Sequence, residues 1–455
     1  MINSFLATQI CLNFPHNPTV EQENAISVMA EFLSSPKDDS LLLLKGYAGT
    51  GKTSLVGALV KTLSALKLKT VLLAPTGRAA KVFSIYAGQK AYTIHKRIYR
   101  QKAFSNEPVG FLSAPNLHKD TIFIVDEASM ITNDCTDSYF FGTGRLLDDL
   151  IQYVYSGAGC HLMVIGDEAQ LPPVMQPESP ALNVDVLKGY GLDVSTVLLT
   201  QVIRQEKDSG ILCNATLLRE CLREGNTFDF PILTTGFPDF QEISGEDLIE
   251  EISSAYSRDG MDDTIIRNRV LYREEELSSG DRLMIARNNY YWANEQKEIG
   301  FIANGEIVQV VKVRRVYEMY GFRFADIIAR FPDYDLELDV KVLLDTLQSN
   351  TPALSKELND KLFYSVLEDY GDITTKAGKI NKMKTDPHYN VLQVKYAYAV
   401  TCHKAQGGQW ANVFVDFGYI TEEMIDEGFY RWLYTAITRA MSRVYLVNLP
   451  KQFKE

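Results

Sequence analysis

Four apolar runs punctuate the first part of the chain, at 41–44, 71–74, 122–125 and 162–165, and a polar loop follows each. Those loops are 46–53, Pro75-Thr76-Gly77-Arg78, Asp126-Glu127 and Gly166-Asp167. Helical spacing follows the first of them in Leu55, Leu59, Val60 and Leu63. Short apolar strands alternating with helices predict a parallel sheet, with polar residues gathered where the strands end. A second set of runs at 283–286, 396–401, 413–416 and 444–447 predicts a second α/β domain. Between them, 307–316 and 336–342 alternate as strands, and 321–328 does so more loosely. Thr351-Pro352 then opens a helix with Leu354, Leu358, Leu362 and Val366 on one face. The lysine-rich stretch 371–390 reads as a polar linker, so 310–390 is expected to form a small β-rich insertion. A shorter insertion at 98–118, with Pro108, Gly110 and Pro115, predicts a hairpin, and Asn304-Gly305 predicts a tight turn between strands.

The loop 46–53 adds chemistry to the pattern. Gly46, Gly51, Lys52 and Thr53 satisfy G-x-x-x-x-G-K-[ST] between an apolar strand and a helix. Glycines let backbone N–H groups close around phosphate oxygens where a side chain would block the approach. Gly46, Ala48, Gly49, Thr50, Gly51, Lys52, Thr53 and Ser54 are therefore candidate nucleotide-binding residues. Lys52 would reach the β- and γ-phosphates, Thr53 would hold Mg²⁺, and the helix N-terminus favours the anion. The strand at 122–125 ends in Asp126 and Glu127. Asp126 can hold the metal through water, and Glu127 can orient and deprotonate an attacking water. Gln170, beyond the next strand end, could sense the γ-phosphate, and Pro172-Pro173 stiffen the loop that follows.

Composition narrows the class. The chain has 455 residues, 46% of them apolar, enough for two or three domains at roughly 100–200 residues each. No apolar run approaches the roughly 20 residues of a membrane span, and the absence of a basic residue before Lys37 argues against a secretory leader. Six scattered cysteines without a C-x-x-C pair suggest neither zinc nor a disulfide framework, and a cytoplasmic location is expected. A net charge of −12 weighs against nucleic acid as a partner. Screening over roughly 8–10 Å still allows a narrow basic channel on an acidic body. Lys90, Lys96, Arg97, Arg100 and Lys102 form one basic cluster, and Lys376, Lys379, Lys382 and Lys384 another; either could equally be a solvated face.

The loop 46–54, the phrase Ala74-Pro75-Thr76-Gly77-Arg78-Ala79-Ala80-Lys81, the quartet Asp126-Glu127-Ala128-Ser129 and the stretch 166–174 together resemble helicases of superfamily 1, in the RecD and phage Dda branch. Later stretches are similar to the same family: Thr19-Val20-Glu21-Gln22, residues 198–205, 396–407 and 433–440. The resemblance runs from 19 to 448, with 310–390 covered by position alone. It implies an α/β protein of two RecA-like parallel-sheet domains with ATP between them, a short hairpin insertion and an SH3-like insertion. The expected boundaries are 1–199 for the first domain, 200–309 and 391–455 for the second, and 310–390 for the SH3-like insertion. The implied activity is ATP-dependent DNA unwinding with 5′ to 3′ translocation on single-stranded DNA, in replication, recombination or repair. By the same resemblance Gln22 reads adenine, and Arg204 and Arg439 join Lys52, Asp126, Glu127 and Gln170 as catalytic residues. Pro75, Thr76, Gly77, Arg78, Thr93, His95, Lys96, Asn304, Gly305, Thr401, His403 and Lys404 become DNA-binding candidates. One departure is Gly408-Gln409-Trp410, where relatives carry Ser-Glu before an aromatic; Gln409 lacks the charge of the ribose contact assigned there.

Bland alternatives exist for single residues. Arg439 could be a surface charge, Gln22 could cap a helix, and lone histidines more often serve cores than ligands. The expected partners are single-stranded and tailed duplex DNA, with no membrane, and the expected state is a monomer. Two rival functions stay open: a phosphate-loop switch or loader without unwinding, and an RNA-directed helicase. A motor carries both arginines in its own chain, as here with Arg204 and Arg439.

Overall fold

Two helices, α1 (Ile2–Asn13) and α2 (Val20–Leu33), precede the first sheet. The computed structural model describes residues 2–35, 37–101, 111–134, 142–202, 209–225, 231–248, 250–252, 254, 275–293, 302–332, 334–347, 349, 351, 353–418 and 420–454. These fall into two compact units, one formed by residues up to 246 and from 402 onward, the other by 247–401.

The four apolar runs become β1 (Ser40–Gly46), β2 (Lys69–Ala74), β6 (Thr121–Val125) and β7 (His161–Gly166). With β3 (Ala91–Thr93) and β8 (Asp193–Leu199) they form a six-stranded sheet in the order β3-β2-β6-β7-β1-β8, and all its pairings are parallel. The runs are continuous because both faces are covered. Leu42, Leu44 and Ile124 pack on one side with α1, α2, α3 (Lys52–Ala65) and α4 (Gly77–Ala87). Leu41, Leu43 and Phe123 pack on the other with α5 (Ile94–Ile98), α6 (Leu146–Tyr155) and α7 (Val184–Lys188). The expected hairpin appears as β4 (Tyr99–Gln101) paired antiparallel with β5 (Phe111–Ser113); its residues 102–110 lie outside the described ones. The same unit holds α8 (Gly210–Glu224) and a three-stranded parallel sheet in the order β15 (Trp410–Asp416), β16 (Ala440–Val447) and β9 (Phe240–Ile243).

The second unit is built on a closed barrel of β10 (Arg282–Ile285), β11 (Ile307–Met319), β12 (Phe322–Phe331), β13 (Leu336–Leu343) and β14 (Leu392–Tyr396). This is the β-rich insertion, and it corrects part of the sequence reading. The runs at 283–286 and 396–401 were expected in the second parallel sheet. Instead β10 pairs antiparallel with β11 and β14, and residues 397–401 form no strand. Leu283, Met284 and Ile285 are all buried, so the barrel strand shows the same continuous apolar signature as a parallel one. The helix expected from Thr351-Pro352 starts later, as α9 (Lys356–Glu368) capped by Ser355, and Pro352 lies outside the described residues. Leu362 and Val366 are buried while Leu358 is exposed. The stretch read as a linker contains a helix, α10 (Lys376–Lys384), capped by Thr375. Its cue was hidden because, among its described side chains, Met383 is the one in the apolar core.

The chain then returns to the first unit through α11 (Cys402–Ala405), β15 (Trp410–Asp416), α12 (Glu427–Ile437) and β16 (Ala440–Val447). Leu218, Val415, Tyr430, Leu433 and Val444 form its core, joined by Tyr47 and Ala169 from the loops of the first sheet. Among the described residues, no helix is long and apolar enough to cross a membrane.

Candidate nucleotide cleft and strand-binding edge

Strand order decides what meets the phosphate loop. β7 lies between β1 and β6, so the loop after β7 is the immediate neighbour of the loop after β1. Asp167 therefore comes within 3.9 Å of Lys52 Nζ. Lys52 Nζ donates to the loop's own carbonyls, Gly46 O at 2.5 Å and Tyr47 O at 2.8 Å. Gly49 and Gly51 hold φ at +79° and +85°, a conformation that L side chains resist. A cleft of about 760 Å³ opens over this loop and includes Gly49, Gly51, Lys52, Thr53, Ser54, Asp126, Glu127, Gln170 and Arg439 in its walls. That volume suits a small-molecule ligand.

Gln22 is placed elsewhere than expected. It completes a capping box with Thr19, and its Nε2 donates to Thr50 O at 3.0 Å. Buried at 1% exposure, it braces the phosphate loop from behind and is not part of the cleft wall. The capping expectation thus has a physical counterpart: one amide caps α2 and fixes the loop.

Asp126 and Glu127 leave β6 into the cleft. Asp126 accepts from the Tyr86 hydroxyl through Oδ2 and from Glu127 N through Oδ1 at 2.8 Å. Burial raises Asp126 above the usual carboxylate range, against the pull of those two bonds and of Lys52. Burial also raises Glu127, to about 7, with Arg439 opposing and Asp126 reinforcing the rise. Glu127 holds a left-handed backbone, φ 53°, uncommon for a residue with a Cβ and typical of strained functional positions. Gln170 is nearly buried, and its Oε1 has no hydrogen-bond partner among the described residues.

The second sheet contributes the other wall. Arg439, 6% exposed, donates to Thr435 O at 3.1 Å and Thr438 Oγ1 at 3.3 Å. From α12, the Tyr434 hydroxyl accepts from Ala48 N and donates to Asp167 Oδ2, each at 2.8 Å. Thr435 Oγ1 accepts from Leu171 N, and Gln406 Nε2 donates to Leu171 O, again at 2.8 Å. The segment after β7 is thereby stitched to α11 and α12. Tyr434→Phe would strip a partner from Ala48 N and from a buried carboxylate. It should lower stability by about 1–3 kcal/mol, read as a lower urea midpoint; an unchanged midpoint would show that the hydroxyl is not structural. Arg204 lies outside the described residues.

The DNA candidates divide. Ala74 pairs with Thr93 in register, which brings Pro75, Thr76, Gly77 and Arg78 beside Thr93, His95 and Lys96 at one sheet edge. Thr76 and Thr93 cap α4 and α5, accepting from Ala79 N and Lys96 N at 3.2 Å. Arg78 stacks over the Trp410 ring at 4.0 Å. Burial pushes His95 down to about 4, so it is neutral near pH 7 and can contact a phosphate only as an uncharged group. Burial lowers His403 and Lys404 as well. Asn304, Gly305 and Thr401 belong to the second unit. There Gly305, φ +86°, makes the expected turn and donates to Ile285 O at 2.8 Å.

Two family models match the chain in order: one described as an AAA domain over residues 19–227, the other as a UvrD-like helicase C-terminal domain over 396–447. The ATP-dependent RecD2 DNA helicase of Deinococcus radiodurans is 30% identical over 176 residues, 38% of this chain and 21% of that relative. The ATP-dependent DNA helicase dda of Enterobacteria phage T4 is 30% identical over 166 residues, 36% of this chain and 34% of that relative. Over these segments the chain is similar to superfamily 1 helicases of the RecD and Dda branch. It spans about a fifth and about a third of these two relatives' lengths. The solved Pif1 helicase of Candida albicans is 16% identical, with 96% of this chain and 95% of that one covered and a TM-score of 0.43. Several cleft residues carried no role in the sequence reading. Tyr86, Asp167, His16, Ser209 and Asp239 all line it. Asp167 and Tyr434 lay inside recognisable motifs and could have been flagged; Tyr86, His16, Ser209 and Asp239 had no local signal.

Proposed function

We propose that the chain is an ATP-hydrolysing motor that moves 5′ to 3′ along single-stranded DNA and opens duplexes ahead of it. The supporting observation is one cleft that gathers Lys52, Asp126, Glu127 and Gln170 from the first sheet and Arg439 from just before β16, so a single chain carries both halves of the site. ATP phosphates would draw Lys52 off the Gly46 and Tyr47 carbonyls and accept from the loop N–H groups. Thr53 and Asp126 offer the hard oxygens that Mg²⁺ prefers, with room for water and phosphate as its other ligands. When bound, that ion supplies positive charge at the β- and γ-oxygens.

Glu127 takes a proton from water as the water oxygen bonds to the γ-phosphorus. The bond from that phosphorus to the β-bridging oxygen breaks, leaving ADP and inorganic phosphate. Gln170 holds the water or the departing phosphate, and Arg439 turns from Thr435 O, Gly408 O and Thr438 Oγ1 to the developing charge. The β4–β5 hairpin is proposed as the duplex splitter. The Pro75–Arg78 and Thr93–Lys96 edge, with His403 and Lys404, is proposed to grip the strand.

The test compares ATPase rates with and without single-stranded DNA, and unwinding of matched DNA and RNA duplexes carrying 5′ or 3′ tails. Strong stimulation and opening of 5′-tailed DNA alone are expected. Equal basal and DNA-saturated rates would favour a switch, and opening of 3′-tailed substrates alone would reverse the polarity.

A further inference from the structure

One contact in the cleft has no counterpart in the motifs. Tyr86 lies at the last turn of α4, and its hydroxyl donates to Asp126 Oδ2. Its ring stacks on Phe83 with centroids 5.1 Å apart, and Phe83 is fully buried. Behind it, Gly57 of α3 faces the Tyr86 carbonyl: a Cβ there would stand 3.1 Å from that oxygen. Glycine thus lets the end of α4 lie against the helix that the phosphate loop opens, and Tyr86 is held from two sides.

The other end of α4 is held as firmly. Thr76 caps it, Arg78 stacks on Trp410, and a Cβ on Gly407, whose φ is +71°, would meet the Ala79 Cβ at 2.9 Å. An 11-residue helix therefore runs from the proposed strand-binding edge and the loop before β15 directly to the carboxylate at the end of β6. Such a helix is rigid over roughly 16 Å at 1.5 Å per residue. A shift at its first turn must reach its last, because packed helices slide or tilt as bodies and do not bend within a turn.

We infer that Tyr86 is a positioning residue that couples strand binding to the nucleotide site: α4 carries the movement, and the Tyr86 hydroxyl transmits it by making or releasing its bond to Asp126. Coupling of this kind is reciprocal, so nucleotide must change strand affinity by the same factor as strand changes nucleotide affinity. The inference rests on the motor reading above.

The test measures affinity for fluorescent oligothymidylate with and without a non-hydrolysable ATP analogue and Mg²⁺, and analogue affinity with and without the oligonucleotide. The parent protein should show coupling of about tenfold, within the usual range for allosteric linkage. Tyr86→Phe keeps the ring and its stacking but loses the hydroxyl. Whatever its affinity for each ligand alone, its coupling factor, the ratio of one ligand's affinity with and without the other, should fall to about twofold or less. Phe83→Leu trims the same core while leaving the hydroxyl and the seats of α4 against Gly57 and Gly407 in place, and should retain the coupling. Undiminished coupling in Tyr86→Phe would overturn the inference while leaving the motor reading intact. Loss of coupling in Phe83→Leu to the same degree would overturn it too, by assigning the effect to helix packing. A parent protein in which the two ligands bind independently would refute the motor reading, and the inference with it.

Discussion

Glu127→Gln is expected to slow ATP turnover by at least about 10²-fold, the scale of a lost general base, while nucleotide affinity stays near that of the parent. The same substitution should make the nucleotide-free, metal-free protein more stable at alkaline pH. Glu127 titrates from 4.5 in the unfolded chain to about 7 in the folded one, chiefly because burial disfavours its charge. A folded pKa above the unfolded one means that the stability contribution is complete below 4.5 and is lost as pH rises through 7. At 1.36 kcal/mol per pH unit the loss has a ceiling of about 3 kcal/mol. Glutamine cannot ionise, so the variant should denature later than the parent at pH 8.5, and the two should converge toward pH 4.5. Denaturant titrations at the two pH values read this directly. Undiminished turnover would remove Glu127 from the chemistry, and identical stability at high pH would show that its carboxylate is solvated.

Arg439→Ala should be the more damaging change for turnover, by about 10³-fold or more if the guanidinium stabilises transferring phosphate. Arg439 is nearly buried and in electrostatic reach of Glu127, yet its hydrogen bonds go to Thr435 O, Gly408 O and Thr438 Oγ1. Its partners are neutral groups of its own neighbourhood, so leaving them for phosphate costs little. Arg439→Lys keeps the charge but loses the planar fork and should recover only a minor part of the rate. Single-turnover measurements separate the effect from binding; a turnover drop below tenfold in the alanine variant would return Arg439 to a structural role.

How much of this was legible in advance follows from the range of each interaction. The phosphate loop was readable because its chemistry is local: positive φ at Gly49 and Gly51 and a lysine one residue on leave few alternatives. Asp126 and Glu127 were readable as a polar pair ending an apolar run. The apolar run at 283–286 was readable as a strand but not as a barrel strand. Burial on both faces looks alike whether the partners lie parallel or antiparallel. Gln22 was readable as a cap, and its bond to Thr50 was not, since the two are 28 positions apart.

The sequence by itself thus determined the local elements, the phosphate loop, the acidic strand end and the family pattern, because each depends on residues a few positions apart whose backbone or spacing admits few substitutes. Tertiary structure alone decided the rest. The order β6-β7-β1 put Asp167 beside Lys52. Packing of α4 on α3 put Tyr86 against Asp126. Docking of α12 put the Tyr434 hydroxyl between Ala48 and Asp167, a contact 386 positions long. Such pairings depend on which strand lies next to which and on how helices seat on the sheet. That is settled by the burial of whole faces, so no local stretch of sequence carries it.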